Sequence, residues 1–318
     1  MWRLIALFCW LVLLPAFAVA QTAWPNRPIS LIVPYPPGGS TDNVARPLVQ
    51  EWGKVLGQTV VIENRGGAGG TIGADLVARA RPDGHTLLMA AGTTLTINPV
   101  IVPNLPYKLE DFAPVMLATT FPFGIITQMR GGAVDVPAWV AAAKARPGQM
   151  TYGTNGPTTL TNVAMLMVME RLGITMQDVT YRGDSAQLAA FMAGDLDVLV
   201  VSGGTAQPVH RDGRGRLIAW TSGRRITSTP DVPSIAEFAP GLDVLSWFGL
   251  LAPARTPADM VQRVNSAANE ALKDERIRER LITEGQFLAG GSPEDFAGFL
   301  SRSDTQWRPI LSKLNVPR

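Results

Sequence analysis

Cysteine is almost absent from this sequence. The 318 residues include one cysteine, Cys9, which lies in an apolar stretch near the N-terminus. One cysteine cannot form an intrachain disulfide, and Cys9 lacks the small preceding residue that is typical of a lipoprotein signal. Disulfides, thiolate metal sites and cysteine nucleophiles are therefore excluded for the remainder of the chain.

Histidine is nearly as scarce, which leaves little material for catalysis. His85 and His210 are the only two, and each stands beside an aspartate and a glycine in a predicted turn, where we expect both to be solvated. The sequence has no Gly-x-Ser-x-Gly elbow and no His/Asp/Glu spacing suited to a metal, and we expect no metal and no cofactor. A secreted hydrolase or isomerase remains an alternative, favoured if a structure places either histidine beside a carboxylate in a cleft.

Charge of either sign is also in short supply. Lys and Arg number 28 and Asp and Glu 26, for a net charge of +2. No basic cluster stands out, so nothing indicates a nucleic-acid partner. The glycines from Gly67 to Gly73 follow a predicted strand and resemble the dinucleotide-binding fingerprint. Ile72, however, occupies the place of its third glycine, so a dinucleotide-binding site is not predicted.

The N-terminus reads as a signal peptide. Arg3 is followed by a short apolar run that ends in Ala18-Val19-Ala20, a small-x-small cleavage site. Residues 1–20 are predicted to be removed before Gln21. Export without disulfides indicates a bacterial periplasm.

Residues 29–56 are the stretch around which the function is predicted. Ile29 to Val33 is a short apolar run typical of a buried parallel strand. After it, apolar residues recur about one helical turn apart at Val44, Leu48, Trp52 and Val55, which predicts a helix with these residues inward. Between them lies Pro37-Gly38-Gly39-Ser40, with Thr41 or Asp42 expected to cap the helix. No Arg or Lys occurs from Ile29 to Val44, so an anion held here would be held by helix-start amides and hydroxyls. An ordinary capped turn is the alternative.

The strand, small-residue loop and helix pattern recurs along the chain. Thr59–Glu63 and Thr86–Ala90 are predicted strands, and the helix after the first of them is expected to turn Ile72, Leu76 and Val77 inward. A second block repeats the pattern from Met150 to Thr205. The alternation predicts an α/β fold with parallel sheets, whose ligands lie beyond the carboxyl ends of the strands, and the length predicts two domains.

Other segments connect and cover these blocks. Pro114–Ala118 and Phe123–Gln128 are predicted as two strands or one long crossing strand, and Leu217–Thr221 and Trp247–Ala252 as late strands. The last part of the chain is predicted to form three packing helices, with Asp274 and Ser292 as start signals.

Several side chains near these loops have two interpretations. Asp42 and Asp184 can each accept a hydrogen bond from a ligand ammonium, or can cap the following helix. Tyr35, Phe121 and Phe123 are candidates to line a cleft, as is Trp247, for which a core position is the alternative.

Read together, the motifs resemble a known family. They are Pro36-Pro37-Gly38-Gly39-Ser40-Thr41-Asp42, Glu63-Asn64-Arg65 with Ala68-Gly69-Gly70, Pro82-Asp83-Gly84-His85-Thr86-Leu87, Tyr181-Arg182-Gly183 and Trp247-Phe248-Gly249-Leu250. In this order the chain resembles the Bug-type receptors, the substrate-binding proteins of tripartite tricarboxylate transporters. The similarity spans the whole mature chain.

The resemblance implies a type II periplasmic binding protein fold with two α/β lobes, a hinge and a cleft between them. Lobe 1 would comprise residues 21–122 and 225–318, and lobe 2 residues 123–224. By the matched motifs, the ligand-binding residues are expected to be Pro37, Gly38, Gly39, Ser40, Thr41, Asp42, Gly69, Gly70, Thr71, Gly92, Thr93 and Thr94 in lobe 1, and Thr154, Asn155, Thr158, Thr159, Asp184, Gly203, Gly204 and Thr205 in lobe 2.

The implied function is capture of a small carboxylate, an organic acid or an acidic or aromatic acid, by a monomeric periplasmic receptor. The receptor would deliver its ligand to membrane subunits of a tripartite transporter without catalysing a reaction. A sensor that docks on a membrane kinase would use the same binding chemistry. The chain departs from the family pattern at a few positions, which bear on the ligand more than on the fold: Gly66, Thr158, Asn162, Ala186 and Ala190.

Overall fold

A computed structural model describes residues 24–157, 159–181 and 183–312. The predicted signal peptide lies outside the described residues, as do Thr158 and Arg182. The described residues form ten β-strands and ten α-helices: β1 (Ile29–Val33), α1 (Ser40–Leu56), β2 (Val60–Asn64), α2 (Thr71–Ala78), β3 (Thr86–Ala91), α3 (Asn98–Ile101), β4 (Phe112–Thr127), α4 (Val136–Ala145), β5 (Thr151–Thr154), α5 (Leu160–Leu172), β6 (Gln177–Thr180), α6 (Asp184–Ala193), β7 (Val198–Ser202), α7 (Gly203–Arg211), β8 (Arg216–Trp220), β9 (Leu245–Pro253), α8 (Ala258–Ala271), α9 (Glu275–Thr283), β10 (Phe287–Gly290) and α10 (Pro293–Leu311).

The strands form two sheets that share β4. In the first sheet the order is β2-β1-β3-β9-β4, with β10 also on β4; in the second, β4 pairs with β7 and β8, and β7 continues to β5 and β6. Strands followed by crossover helices run parallel, as the alternating pattern predicts. The predicted α/β class is therefore confirmed.

The long strand β4 passes from one sheet to the other. Its last register partner in the first sheet is Leu245 of β9, opposite Pro122. The next residue, Phe123, already pairs with Ser202 of β7 in the second sheet. The two predicted strands of this region are thus one crossing strand.

The chain returns to the first sheet only at β9. Ile226 and Val232 lie in the same buried cluster as Trp220 of β8. The Trp220 indole Nε1 donates to Thr229 Oγ1 at 2.9 Å. The segment after β8 therefore packs with the second sheet.

Helix α1 follows the predicted spacing, except at its two ends. Val44, Leu48 and Trp52 are buried against the first sheet. At the C-terminal end the buried face continues through Leu56, whereas Val55 is 51% exposed. At the start, Gly39 is the N-cap residue and no side chain caps the helix, so the expected cap by Thr41 or Asp42 is wrong.

Helix α2 turns a different face inward from the one predicted. Ile72 and Leu76 are 56% and 39% exposed, while Val77 is buried as expected. A Cβ on Gly73 would lie 2.8 Å from Pro34 Cβ and 2.9 Å from the Arg65 carbonyl oxygen. The helix approaches the chain at Pro34 and Arg65 so closely that its inner face accommodates only small residues. The periodicity of the large apolar residues therefore selects the wrong face.

Neither histidine lies at the carboxyl ends of the strands. His85 precedes β3 and is 5% exposed, so the expectation that it is solvated is wrong. Its ring meets the Trp24 ring at a centroid distance of 6.0 Å. His210 is exposed near the end of α7, where Nδ1 accepts from the Leu217 amide at 3.4 Å.

The C-terminal part contains the three predicted helices. Asp274 caps α9, since its Oδ1 accepts from the amides of Arg276 and Ile277 at 3.0 and 3.3 Å. The four-residue strand β10 between α9 and α10 was not predicted. Among the described residues, no helix is both long and apolar enough to cross a membrane.

Candidate ligand site

Loops after six strands form two rims that face each other. We define the first rim as residues 35–42, 66–71 and 92–94, which follow β1, β2 and β3. We define the second rim as the described residues within 154–159, 181–184 and 202–205, which leaves out Thr158 and Arg182; these loops follow β5, β6 and β7. All lie beyond the carboxyl ends of parallel strands, where such sheets bind ligands.

Tyr35 and Asn98 join the three loops of the first rim. The Tyr35 hydroxyl lies 2.8 Å from Thr94 Oγ1 and 3.5 Å from the Gly69 carbonyl oxygen. Asn98 Nδ2 donates to the same carbonyl at 3.1 Å and to Thr71 Oγ1 at 3.3 Å. Burial raises the pKa of Tyr35 to about 12, so its hydroxyl stays protonated. The rim is therefore tied together by neutral groups.

The glycines of the first rim allow close approach. Gly70 has φ +91°, and a Cβ there would lie 2.6 Å from Thr94 Oγ1. A Cβ on Gly92 would lie 3.2 Å from the Trp247 indole nitrogen. A side chain at Gly70 would push apart the loops after β2 and β3, and one at Gly92 would crowd Trp247 of β9.

Asp42 is buried and hydrogen-bonded by groups close to the first rim. Its side chain is 0% exposed and accepts from Arg46 Nε at 2.7 Å, the Gly38 amide at 2.8 Å and Asn64 Nδ2 at 3.0 Å. Burial opposes ionisation, but the hydrogen bonds from Arg46, Gly38 and Asn64 outweigh it and lower the pKa of Asp42. Asp42 therefore fixes the Gly38–Ser40 turn.

The β5 loop of the second rim is built on internal hydrogen bonds. Thr154 is buried and donates to Asp178 Oδ1 at 2.5 Å. Its hydroxyl oxygen accepts from the Gly156 amide at 3.2 Å, and Thr159 Oγ1 donates to the Gly156 carbonyl at 2.7 Å. Burial raises the pKa of Asp178.

Asp184 is the centre of the second rim. Its Oδ1 accepts from Asn155 Nδ2 at 3.1 Å, and its Oδ2 accepts from Ser202 Oγ at 3.0 Å and from Thr205 Oγ1 at 3.2 Å. The side chain is half-buried at the start of α6. Three loops are thus held by one carboxylate.

The two rims touch through a pair of serines. Ser40 Oγ, at the start of α1, lies 3.3 Å from Ser202 Oγ at the end of β7. Because Ser202 donates its proton to Asp184, Ser40 is the donor in this contact. A hydrogen-bonded chain therefore runs from the first rim to the carboxylate of the second.

The remaining predicted residues fall into two groups. A Cβ on Gly203 would lie 2.9 Å from the Glu284 carbonyl oxygen, so this glycine lets α7 start against the turn after α9. Pro37, Thr93 and Gly204 remain exposed or half-exposed on the rims, whereas Thr41 is buried. Thr158 lies outside the described residues.

Of the four aromatic candidates, only Tyr35 has a polar contact on the rims. Phe121 stacks on Phe248 with ring centroids 4.6 Å apart, and Phe123 meets Phe121 edge-on. Trp247 is 2% exposed, which is the core position given above as its alternative.

Five helices begin at the rims without a side-chain cap. They are α1, α2, α5, α6 and α7, and in none does the N-cap side chain accept from the first turn. By contrast, α4 and α9 are capped by Asp135 and Asp274; α8, preceded by Pro257, is uncapped as well. Helix-start amides that no side chain caps carry partial positive charge and can bind anions, although in α2 the Thr71 amide already donates to the Ala68 carbonyl oxygen. Among the described residues no group of His, Cys, Asp and Glu is arranged to hold a metal ion.

A family model matches most of the chain. The Tripartite tricarboxylate transporter family receptor model matches residues 44–316. The chain belongs to this receptor family.

Individual relatives agree with the family match. BugT of Bordetella pertussis is 31% identical over 299 residues, which cover 93% of this chain and 92% of BugT. A solved structure of a periplasmic transporter has a TM-score of 0.85 at 34% identity, covering 92% of this chain and 99% of its own. MatC from Rhodopseudomonas palustris, solved with bound malate, has a TM-score of 0.80 at 30% identity, covering 91% of this chain and 100% of its own. The expected periplasmic binding protein fold is confirmed.

Three side chains that connect loops of the candidate site were not among the predicted site residues. Ser202, Asn98 and Asn64 each hydrogen-bond across loops distant in sequence. Ser202 directly follows an apolar strand and precedes two glycines, the same signal that identified Ser40. Asn98 and Asn64 carry no comparable local signal.

Proposed function

We propose that this receptor closes two lobes on a small carboxylate in the periplasm and delivers it to the membrane subunits of a tripartite transporter. The observation that carries the proposal is the set of five uncapped helix starts at two rims that meet through Ser40 and Ser202. The family match and a relative with bound malate support it.

Neutral donors are suited to reversible capture of an acid. None of the twenty residues predicted for the site is Lys or Arg. A hydrogen bond to a charged group contributes about 1.5–3 kcal/mol, so four or five give roughly micromolar affinity after the cost of association. We propose ligand contacts at Gly38–Thr41, Gly69–Thr71, Gly92–Thr94, Thr154–Thr159 and Ser202–Thr205, with Asp42 holding the first turn in place.

Closure of the receptor follows from the position of the rims. A ligand that contacts both rims does so only when they are close together, so it favours the closed form by its difference in affinity. We place the hinge where β4 changes sheets and where the chain returns at β9, which extends lobe 2 from residue 123 to about residue 244.

Thermal unfolding of residues 21–318 against a panel of small acids tests the proposal. At about a hundred times the dissociation constant, a bound acid should raise the melting temperature by roughly 5 °C. The amides of the same acids serve as controls, because they keep the carbon skeleton and lose the charge. If no carboxylate shifts the transition more than its amide, the proposal is wrong.

Export and oligomeric state have their own measurements. We propose that residues 1–20 direct export and are removed, so N-terminal sequencing of the periplasmic protein should begin at Gln21. We also propose a monomer, for which sedimentation should give a single species near the mass of the mature chain.

A further inference from the structure

We infer that Gln187 is a positioning residue of the ligand site: it holds the Asn155 amide so that the amide nitrogen faces the acid between the rims. The inference rests on the proposed function and adds a residue to it. Gln187 lies on α6, about one turn after Asp184, and is fully buried. It acts from the interior behind the second rim.

Asn155 is held from two sides by residues of α6. Its Nδ2 donates to Asp184 Oδ1 at 3.1 Å, and its Oδ1 accepts from Gln187 Nε2 at 2.7 Å. An asparagine amide has two N–H groups, of which one is directed at Asp184, and we assign the other to the ligand. Because Asn155 is half-buried on the second rim, its contact with Gln187 links the protein interior to the ligand site.

The second sheet leaves room for the Gln187 side chain. Gly153 of β5 lies beside it, and a Cβ there would stand 3.0 Å from Gln187 Oε1 and 2.7 Å from Leu196 Cδ1. Any side chain at residue 153 would therefore displace the Gln187 amide from Asn155.

The Gln187 amide is poorly satisfied apart from its contact with Asn155. Its Oε1 faces two other acceptors, the carbonyl oxygens of Gly153 at 3.0 Å and Val200 at 3.3 Å. Turning this amide over would let its nitrogen donate to both carbonyls, but would place Oε1 2.7 Å from Asn155 Oδ1. Turning Asn155 over as well would direct its oxygen at the Asp184 carboxylate. Each arrangement thus keeps a contact between two acceptors.

Facing acceptors in the interior oppose folding, so the fold gains little from this glutamine. A glutamine that stabilises the fold satisfies its neighbours, as Gln128 does. Its Nε2 donates to the carbonyl oxygens of Phe191 and Leu196 at 2.6 and 2.9 Å. Gln187 instead has its favourable contact with Asn155, a residue of the site.

Titration calorimetry and denaturant unfolding of Gln187→Met test the inference. Methionine has a similar length and volume but cannot donate to Asn155. The probe is the tightest binder among succinate, malate, glutarate, adipate and benzoate. We expect its dissociation constant to rise at least tenfold while the unfolding midpoint stays the same or rises. Unchanged affinity, or a fall in the midpoint as large as that of Gln128→Met, overturns the inference.

Gln128→Met is the matched control. It removes the same amide from a side chain that contacts the other end of α6, away from the rims. Two carbonyl groups lose their donor, so the unfolding midpoint should fall. The affinity for the probe acid should stay unchanged.

A double-mutant cycle with Asn155→Ala separates positioning from a general effect on the loop. In the Asn155→Ala background, Gln187→Met should raise the dissociation constant less than twofold, because the residue that it positions is absent. An equal rise in both backgrounds overturns the inference and leaves the carboxylate receptor intact. Where Asn155→Ala binds too weakly to titrate, the single variants decide. Failure of every panel acid to bind the unaltered protein overturns both the inference and the proposed function.

Discussion

Asp42 shows that a carboxylate at a helix start can be buried and hydrogen-bonded by groups of its own chain. From the sequence, Asp42 and Asp184 are equivalent: each stands at a helix start beside small residues. The difference arises from Arg46, one turn along α1, and from Asn64, which arrives from a different strand. The first partner is visible as an i, i+4 pair, but the second depends on the register of two strands.

Replacing Asp42 should destabilise the fold strongly. Asp42→Ala leaves the Gly38 amide, Asn64 and Arg46 without their acceptor, and we expect a loss of about 2–4 kcal/mol in the free energy of unfolding. Asp75→Ala is the control, since Asp75 forms an i, i+4 pair with Arg79 in which Arg79 is exposed and Asp75 is half-buried. That loss should stay below about 0.5 kcal/mol. Denaturant titration of both variants measures the difference, and equal losses would contradict it.

The ion pair between Asp42 and Arg46 also predicts how stability depends on pH. The pKa of Asp42 in the folded protein is lowered from 3.8, so its ionised form stabilises the fold above that pH. The contribution is lost as pH falls below 3.8 through the folded-state pKa. The stability difference between the unaltered protein and Asp42→Asn should therefore be constant from pH 7 to pH 5 and shrink below about pH 3.8 in denaturant titrations. A difference that grows on acidification would refute this account.

Gly70 tests the close approach of the three loops in the first rim. Gly70→Ala places a Cβ 2.6 Å from Thr94 Oγ1 at φ +91°, whereas Gly213→Ala introduces similar strain at φ +66° with no atom within 4 Å. We expect Gly213→Ala to cost about 1 kcal/mol and Gly70→Ala at least about 2 kcal/mol. Acid binding should weaken only in Gly70→Ala. Thermal unfolding with and without ligand compares them, and indistinguishable variants would show that the contact is unimportant.

At the scale of secondary structure, the absence of caps on the rim helices is the feature most relevant to function. Gly39 has extended φ and ψ values of −74° and 167°, which any residue can adopt, yet it carries no capping side chain. An aspartate there would cap α1 and fill the anion position with the chain's own carboxylate.

Gly39→Asp should therefore stabilise the fold and weaken acid binding. We expect the free energy of unfolding to rise by about 0.5–1 kcal/mol and acid affinity to fall at least tenfold. Gly39→Ala is the control: its Cβ meets the same neighbour, the Pro36 carbonyl oxygen at 3.3 Å, without adding charge. Titration calorimetry should show near-normal binding in Gly39→Ala. Strong acid binding by Gly39→Asp would mean that the start of α1 is not part of the site.

How well elements were predicted depended on how local their signals are. β1 was predicted with its observed bounds because five apolar-rich residues stand between breaking residues, and α1 from its stripe Val44, Leu48 and Trp52. β10 was missed because its four residues are a strand only through pairing with β4. The face of α2 was wrong because Gly73 and Ala74, not large residues, lie inward.

The same distinction between local and long-range signals applies to the candidate site. Its loops were predicted, since small residues after apolar strands are a local pattern. The contact between Ser40 and Ser202 was not, because it joins residues 162 positions apart and depends on how two sheets are oriented around β4.

At the scale of the whole molecule, the sequence offered one long crossing strand as an alternative to two strands, but not the residue at which it changes sheets, which is Phe123. β4 belongs to both sheets, and β9 pairs with its N-terminal part, from Phe112 to Pro122. Phe121 and Phe248 stack next to this junction, at a centroid distance of 4.6 Å. The hinge proposed above would therefore act at residues 122–123 and 244–245.

The pairing of Pro122 with Leu245 gives lobe 1 the two ends of a ready-made hairpin. If residues 123–244 are deleted and an Asn-Gly turn joins the two strands, the remaining chain should fold by itself into a smaller protein that no longer binds acids. Circular dichroism and amide hydrogen exchange of this minimal protein would show protected β1, β3 and β9, and an unfolded product would contradict the expectation. Lobe 2 would then be an insertion into an older, self-sufficient unit, and ligand recognition a property acquired with it.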